Sequence, residues 1–307
     1  VRANHLGRNA SNGVLGGDPL EDAGGLLDVG VLARRLADAV APRQLLGRLG
    51  LPFVEADGVL TAAPAAFAVA AAPDGVDLDD GGRYMPSRFQ KKMWALWEEF
   101  WGEWVPQATK GEPYAVIMNG DALEGVHHGS TTQITHNLMD QGRIAKRILQ
   151  PVVELCEGRY YHIRGTEAHV GPSASAEEGL AKSLGAIPNE DGQYARYDLW
   201  KTIGPDKLIH SLHHIGSTGS QAYEATAVHK EIVEEFAEAG RWRNQPPDVV
   251  VRSHRHRYME TAVPIGHKCK NGKQATGRAF SVVTPCWQGK TPFVWKIPGG
   301  RLSTPQF

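Results

Sequence analysis

Carboxylate and imidazole side chains in this sequence fall just after apolar runs, and that placement gives them a chemistry. Asp121 follows the run that begins at Tyr114 and closes in Asn119-Gly120. Glu167 and His169 follow the run at 159–163, His213 and His214 follow 207–212, and His254-Arg255-His256 follows the Val-rich run at 248–251. Carboxylate mixed with imidazole suits Mn, Zn, Fe or Ni, whereas Ca and Mg sites are dominated by oxygen. One Asp with two usable oxygens bridges two cations roughly 3.5 to 4 Å apart, and such a pair clamps the attacking and leaving oxygens of an in-line phosphoryl displacement. Asp121 is the bridging candidate. His254 and His256, one residue apart at a strand end, are expected to point to the same side, each toward one metal. His127 and His128, in a Gly-bounded loop past Asp121, are candidate substrate contacts. So is Arg255, a bidentate donor to phosphate.

The elements that must position these residues alternate. A short, unbroken apolar run at 114–118 reads as a buried strand, and further strands are expected at 159–163, 207–212, 248–251, 258–263 and 280–283. Helices are expected within 137–156, 176–184 and 223–239. Ser87 and Gln90 form a capping-box pattern ahead of Met93, Trp94, Trp97, Phe100, Trp101 and Trp104, whose helical spacing predicts a core-facing stripe rather than a platform for stacking bases. The expected fold is a layered α/β domain with helices outside the sheet and ligands at the carboxyl ends of its strands.

Bulk properties narrow the classes. With 33 basic and 34 acidic residues the net charge is -1, so nothing draws the whole chain to nucleic acid or to anionic membranes. Three cysteines without close pairing give neither a disulfide framework nor a zinc ribbon. No apolar stretch is long enough to span a bilayer and no signal-peptide pattern opens the chain, so a cytoplasmic protein is expected. Of 13 histidines, all but His5 lie at or after His127. His136, His162, His210, His229 and His267 lack strand-end placement and read as packed or surface residues. Residues 1–80, rich in Ala, Gly and Leu, form an atypical segment with a short helical pair expected at 30–51. The catalytic domain is expected over 81–307.

The ordered set resembles the calcineurin-like metallophosphoesterase superfamily, over roughly residues 84–290, and within it most of all the phage-encoded branch. Gly120-Asp121-x-x-Glu124 stands for the family's second motif, His213-His214-Ile215-Gly216 for the fourth and Ser253-His254-Arg255-His256 for the fifth. The resemblance implies a β-sandwich flanked by helices and two divalent metals. It also implies hydrolysis of a phosphomonoester or phosphodiester, nucleotides and nucleic acids included, by direct attack of a metal-bound hydroxide. Glu167 is the expected ligand where the family has Asn, and His169 the group expected to protonate the leaving oxygen.

One motif is missing. No Asp-x-His follows an apolar run before Tyr84, and the nearest echo, Asn4-His5, has Ala3 where Asp is needed. One metal is therefore better supported than two. A shifted reading of the gene upstream, a one-metal enzyme, and replacement of the absent ligands by His127 and His128 all fit. The main alternative is a degenerate member of the fold that serves as a binding or structural protein. Amidohydrolases also use His-x-His, but ahead of their Asp, the reverse of the order here.

Overall fold

An apolar run without alternation needs cover on both faces, and the strand Tyr114–Asn119 is buried at every position. The computed structural model describes residues 58–62, 74–126, 133–203, 207–216, 221–268 and 274–288. In chain order the strands are β1 (Gly58–Ala62), β2 (Val76–Asp77), β3 (Arg83–Tyr84), β4 (Tyr114–Asn119), β5 (Tyr160–Ile163), β6 (Ala195–Arg196), β7 (Asp198–Ile203), β8 (Lys207–Leu212), β9 (Val249–Arg252), β10 (Met259–Lys268) and β11 (Gln274–Val283). The helices are α1 (Arg88–Glu99), α2 (Val105–Thr109), α3 (Leu138–Leu155), α4 (Glu167–Val170), α5 (Ser175–Ser183) and α6 (Glu224–Trp242). No helix among the described residues is long and apolar enough to cross a membrane.

Two main sheets form. One is wholly parallel, in the order β1-β4-β5-β6, and the other is mixed, in the order β10-β11-β9-β8-β7. Strand alternation sorts their side chains into layers. Ala115, Ile117, Tyr161 and Ile163 of the first sheet meet Leu199, Ile209, Val249 and Val251 of the second in one apolar cluster. The opposite face of the first sheet, with Tyr114, Val116, Met118 and Tyr160, packs against α1, α3 and α5. Val250 and Ala279, on the outer face of the second sheet, pack on Ile232 of α6. The chain is thus a mixed α/β structure with two facing sheets and helices outside.

Helix α1 begins at the expected capping box, Ser87 with Gln90. It runs through a π-helical stretch at Phe100–Trp104 into α2. Met93, Trp97 and Trp101 are buried, and Trp94, Phe100 and Trp104 pack against the same cluster, so the aromatic stripe is core. Trp287, just past β11, stands edge-on to Trp97 at 5.0 Å and to Phe100 at 5.4 Å. That contact ties the segment after β11 to the first helix.

The expected strands at 114–118, 159–163, 207–212 and 248–251 match β4, β5, β8 and β9 to within a residue or two, as the expected helices match α3 and α5; α6 extends three residues beyond its expected end. The strands expected at 258–263 and 280–283 are longer, because β10 and β11 pair over ten residues as a hairpin. Pro264 fits inside β10 because that strand is the sheet edge and owes no amide there. The boundary expected at residue 80 falls between β2 and β3, which pair with each other, and β1 from the atypical segment pairs with β4. The helical pair expected at 30–51 lies outside the described residues.

Outward-facing positions of the second sheet carry charge to α6. Arg252 is 2 % exposed, and its Nε and Nη2 donate to Glu231 and Glu235 at 2.8 and 2.9 Å. Nδ1 of His210 is 2.6 Å from Glu235. Burial alone would raise the Glu235 carboxyl, but His210 and Arg252 outweigh it and hold it low. A depressed carboxyl contributes stability above its ordinary value of 4.5 that is lost as pH falls toward the lower folded value. Glu235→Gln is therefore expected to lower the unfolding free energy at pH 7 by about 1–3 kcal/mol, measured by urea titration. Repeated below pH 4.5, the titration should show the gap closing.

Candidate metal centre

Strands β4, β5, β8 and β9 end at one place, and the residues just beyond them meet there. Asp121 has no exposed surface, and its Oδ1 accepts from the Thr166 amide at 2.9 Å. Its Oδ2 lies 3.0 Å from Nε2 of His213 and 3.7 Å from Nε2 of His169. Ligand atoms of Asp121, His213 and His254 all lie within 4.8 Å of one another. The rings of His213, His214 and His254 are 5.3 to 5.9 Å apart.

Backbone conformation makes that approach. Gly120 has φ +86°, and a Cβ there would lie 2.2 Å from Nδ1 of His213. A Cβ on Gly165 would lie 2.1 Å from Oδ1 of Asp121. Asp121, His254 and His256 themselves sit at φ 55°, 66° and 55°, a left-handed region that costs a non-glycine residue on the order of 1 kcal/mol. The expectation that His254 and His256 share a side through strand alternation is corrected here. The strand ends at Arg252, and both histidines stand in the bend beyond it at positive φ.

Second contacts orient the rings. Nδ1 of His213 is 2.6 Å from the Asn119 carbonyl, and Nδ1 of His169 is 2.8 Å from the Glu124 carbonyl. A carbonyl only accepts, so each Nδ1 carries the proton and each Nε2 is turned toward Asp121, the arrangement that prepares a histidine to ligate a metal. Asn119 Nδ2 donates to Ser253 Oγ at 2.7 Å, and that hydroxyl pairs with Thr284 at 2.9 Å. The ends of both sheets are thereby laced together under the site.

Charge follows from this crowding. Burial would raise the Asp121 carboxyl, but the imidazoles of His213 and His169 outweigh it and hold it well below the carboxylate range. Burial would lower His213, but Asp121 beside it raises it. His214 is lowered by burial and by His213. His256 is lowered to about 4 by burial and by the neighbouring histidines. His254 is exposed over part of its surface, yet enough protein surrounds the ring that burial and His213 bring it to about 4 as well. Both rings are neutral at pH 7, with a lone pair to offer.

Neither a family model nor a curated protein matches the chain. What marks the centre is an unmet demand inside it. Asp121 Oδ2 and His213 Nε2 are both buried, and neither has a partner of hydrogen-bond geometry, although they lie 3.0 Å apart. Two ligand atoms bound at about 2.0–2.2 Å and at a tetrahedral angle stand roughly 3.4 Å apart. The 3.0 and 3.7 Å separations around Asp121 Oδ2 bracket that value, and Asp121, His213 and His254 together could hold a metal ion.

The remaining candidates are placed differently. Glu167 is exposed on the first turn of α4 and stands outside the three-residue group; His169, two residues on, is the one turned toward Asp121. Glu124 is 2 % exposed with Oε2 unpartnered, and burial raises its carboxyl. Arg255, expected to face substrate, is buried against Glu224, with Nη1 3.6 Å from Oε1, and Glu224 also takes Arg257 at 2.8 Å. The two arginines that flank His256 thus anchor the bend to the start of α6. His127 and His128 lie outside the described residues. His162 and His210 are buried beside Glu177 and Glu235, and His136 and His229 are exposed, in line with their packed or surface assignment.

Asn119, Thr166, Ser253 and Glu177 were not legible as site residues. Three act through backbone or hydroxyl contacts across 45 or more residues, and Glu177 lies on a helix with no motif. Close packing at Gly165 is directly checkable. Gly165→Ala is expected to cost about 1–3 kcal/mol and to weaken Mn²⁺ binding by more than about tenfold in isothermal titration. Gly179→Ala, in α5 with nothing within 4 Å of its Cβ, should leave both unchanged or slightly improved.

Proposed function

We propose that this chain is a metal-dependent phosphoesterase of the calcineurin-like type, hydrolysing a phosphomonoester or phosphodiester, with nucleotides and nucleic acids among the candidate substrates. The observation that carries the reading is the buried group of Asp121, His213 and His254, in which Asp121 Oδ2 and His213 Nε2 lie 3.0 Å apart without well-formed hydrogen-bond geometry. Facing sheets with helices outside are also what the resemblance implies, and the candidate ligands follow strand ends, as their places in the sequence suggest. When bound, a divalent Mn, Zn, Fe or Ni ion supplies Lewis acidity toward a phosphoryl oxygen and makes water a competent nucleophile near neutral pH.

The chain's own groups divide the remaining work. Asp121 supplies negative charge at the centre of a ring of imidazoles. His213 is held in the ligating tautomer by Asn119, and His169 by Glu124. That geometry supports His169 as a further ligand, because its Nδ1 proton is committed to a carbonyl and its Nε2 faces Asp121 rather than open solvent. His254 and His256 remain neutral and available at working pH.

The described residues make one ligand set. Strand β1 runs parallel to β4, so Ala62 ends at the site's end of the sheet, and residues 63–73 beyond it lie outside the described residues. The single set, with no Asp-x-His in the sequence, favours one metal and is also what a non-catalytic binding protein built on this fold would have. Purified chain supplied with Mn²⁺ or Zn²⁺ is expected to hydrolyse bis-p-nitrophenyl phosphate and to hold one equivalent of metal. Asp121→Asn should lower kcat/KM by more than about 100-fold, while the exposed Glu167→Ala stays within about twofold of wild type. A folded preparation that binds the ions but turns over neither a monoester nor a diester would leave only the binding reading.

A further inference from the structure

Among the described residues the least exposed acid outside the ligand set is Glu177, on α5, and nothing in the proposed chemistry uses it. It has no accessible surface. Its Oε1 accepts from the Ala122 amide at 3.2 Å and its Oε2 from the Gly165 amide at 2.7 Å. Those amides are not arbitrary. Ala122 follows Asp121 directly, and Gly165 precedes Thr166, whose amide donates to Asp121 Oδ1. One carboxylate therefore joins the loop after β4 to the loop after β5, on both sides of the central acid.

Behind Glu177 stands a second buried pair. Nε2 of His162 is 3.2 Å from Glu177 Oε1, and Nδ1 of His162 is 2.9 Å from the Tyr160 hydroxyl. His162 Nε2, like His213 Nε2, has no partner of hydrogen-bond geometry despite this proximity, while its Nδ1 pairs with the Tyr160 hydroxyl. Burial pushes the Tyr160 phenol well above its ordinary value, which keeps it a donor. Strand alternation places Tyr160 and His162 on the helix-facing side of β5, beneath α5. Glu177 lies in the first turn of that helix, where negative charge is favoured.

We propose that Glu177, backed by His162 and Tyr160, is the positioning residue of the metal centre: it sets the spacing between the Asp121 loop and the loop that carries Thr166 and His169. The proposal rests on the metal-binding reading above but makes a claim that holds without metal. An acceptor-only carboxylate satisfies two amides at once. An amide side chain has one acceptor oxygen, and its NH₂ would face a second donor. Glu177→Gln must therefore release either Ala122 or Gly165 while preserving shape and volume.

The test compares wild type, Glu177→Gln, His162→Gln and Leu180→Ala. Leu180 is a buried apolar residue of the same helix whose side chain can accept no hydrogen bond from either loop's amides. In metal-free protein, amide exchange at Ala122 or Gly165 is expected to accelerate at least tenfold in Glu177→Gln and to stay at the wild-type rate in Leu180→Ala. Titration with Mn²⁺ is expected to show affinity weakened roughly 10- to 100-fold by Glu177→Gln, the range typical of groups that orient metal ligands. His162→Gln should show a smaller loss in the same direction. Exchange and affinity unchanged in Glu177→Gln, or an equal loss in Leu180→Ala at matched thermal stability, would overturn the proposal. If Glu177→Gln does not fold, wild-type exchange at both amides in His162→Gln overturns it, and faster exchange there supports it. Should wild type itself bind no Mn²⁺ or Zn²⁺, the metal reading fails, and the exchange result still decides the positioning claim.

Discussion

A carboxylate with no exposed surface is unfavourable by several kcal/mol unless charge and hydrogen bonds offset the loss of water, and Asp121 is such a group. Much of the local structure answers that one demand. The Thr166 amide takes one oxygen; His213 and His169 face the other. For these partners to come near enough, Gly120 and Gly165 must lack side chains, and Asp121 must adopt a left-handed backbone. The arrangement still leaves Oδ2 and the facing imidazole nitrogen without a well-formed hydrogen bond, a conflict that the proposed cation would resolve.

The same demand explains how the two sheets are joined. Their apolar faces meet through Ile117, Ile209 and Val249, which fixes their separation but has no direction of its own. Direction comes from polar contacts at the strand ends: His213 to the Asn119 carbonyl, Asn119 to Ser253, and Ser253 to Thr284. On the outer side, Glu224, Glu231 and Glu235 of α6 take Arg255, Arg257 and Arg252. The bend that carries His254 and His256 is thus held from both faces. Its strained φ values persist because charged anchors on either side of His256 leave it no easier path.

Much of this was legible in the sequence, and the reason is local. The unbroken run at 114–118 needs cover on both faces, so it announced a central strand; the Ser87-x-x-Gln90 box and the tryptophan spacing announced α1. Asp121, the His213-His214 pair and His254 stood out because each follows such a run, though nothing in the sequence chose between the two adjacent histidines. The edge strand β7 was not legible, since Asp198, Lys201 and Thr202 interrupt its apolar residues and only Leu199 and Ile203 are buried. The length of the β10–β11 hairpin escaped as well, because pairing, not apolar content, extends it.

The ordering of strands and ligands, then, is what the sequence determined by itself: periodicity and strand-end position are properties of neighbours along the chain. Which candidate faces the centre was decided only by the tertiary structure. Glu167 and His169 are two residues apart and equally suited by type, but the turn of α4 exposes the first and directs the second toward Asp121. Arg255 carries the right charge for phosphate, yet Glu224, 31 residues away, claims it. Glu177 has no motif at all, and it became visible once folding placed its two oxygens against the amides of Ala122 and Gly165. Burial and hydrogen-bond geometry between distant segments are not encoded in local spacing, so they appear only when the sheets have closed on each other.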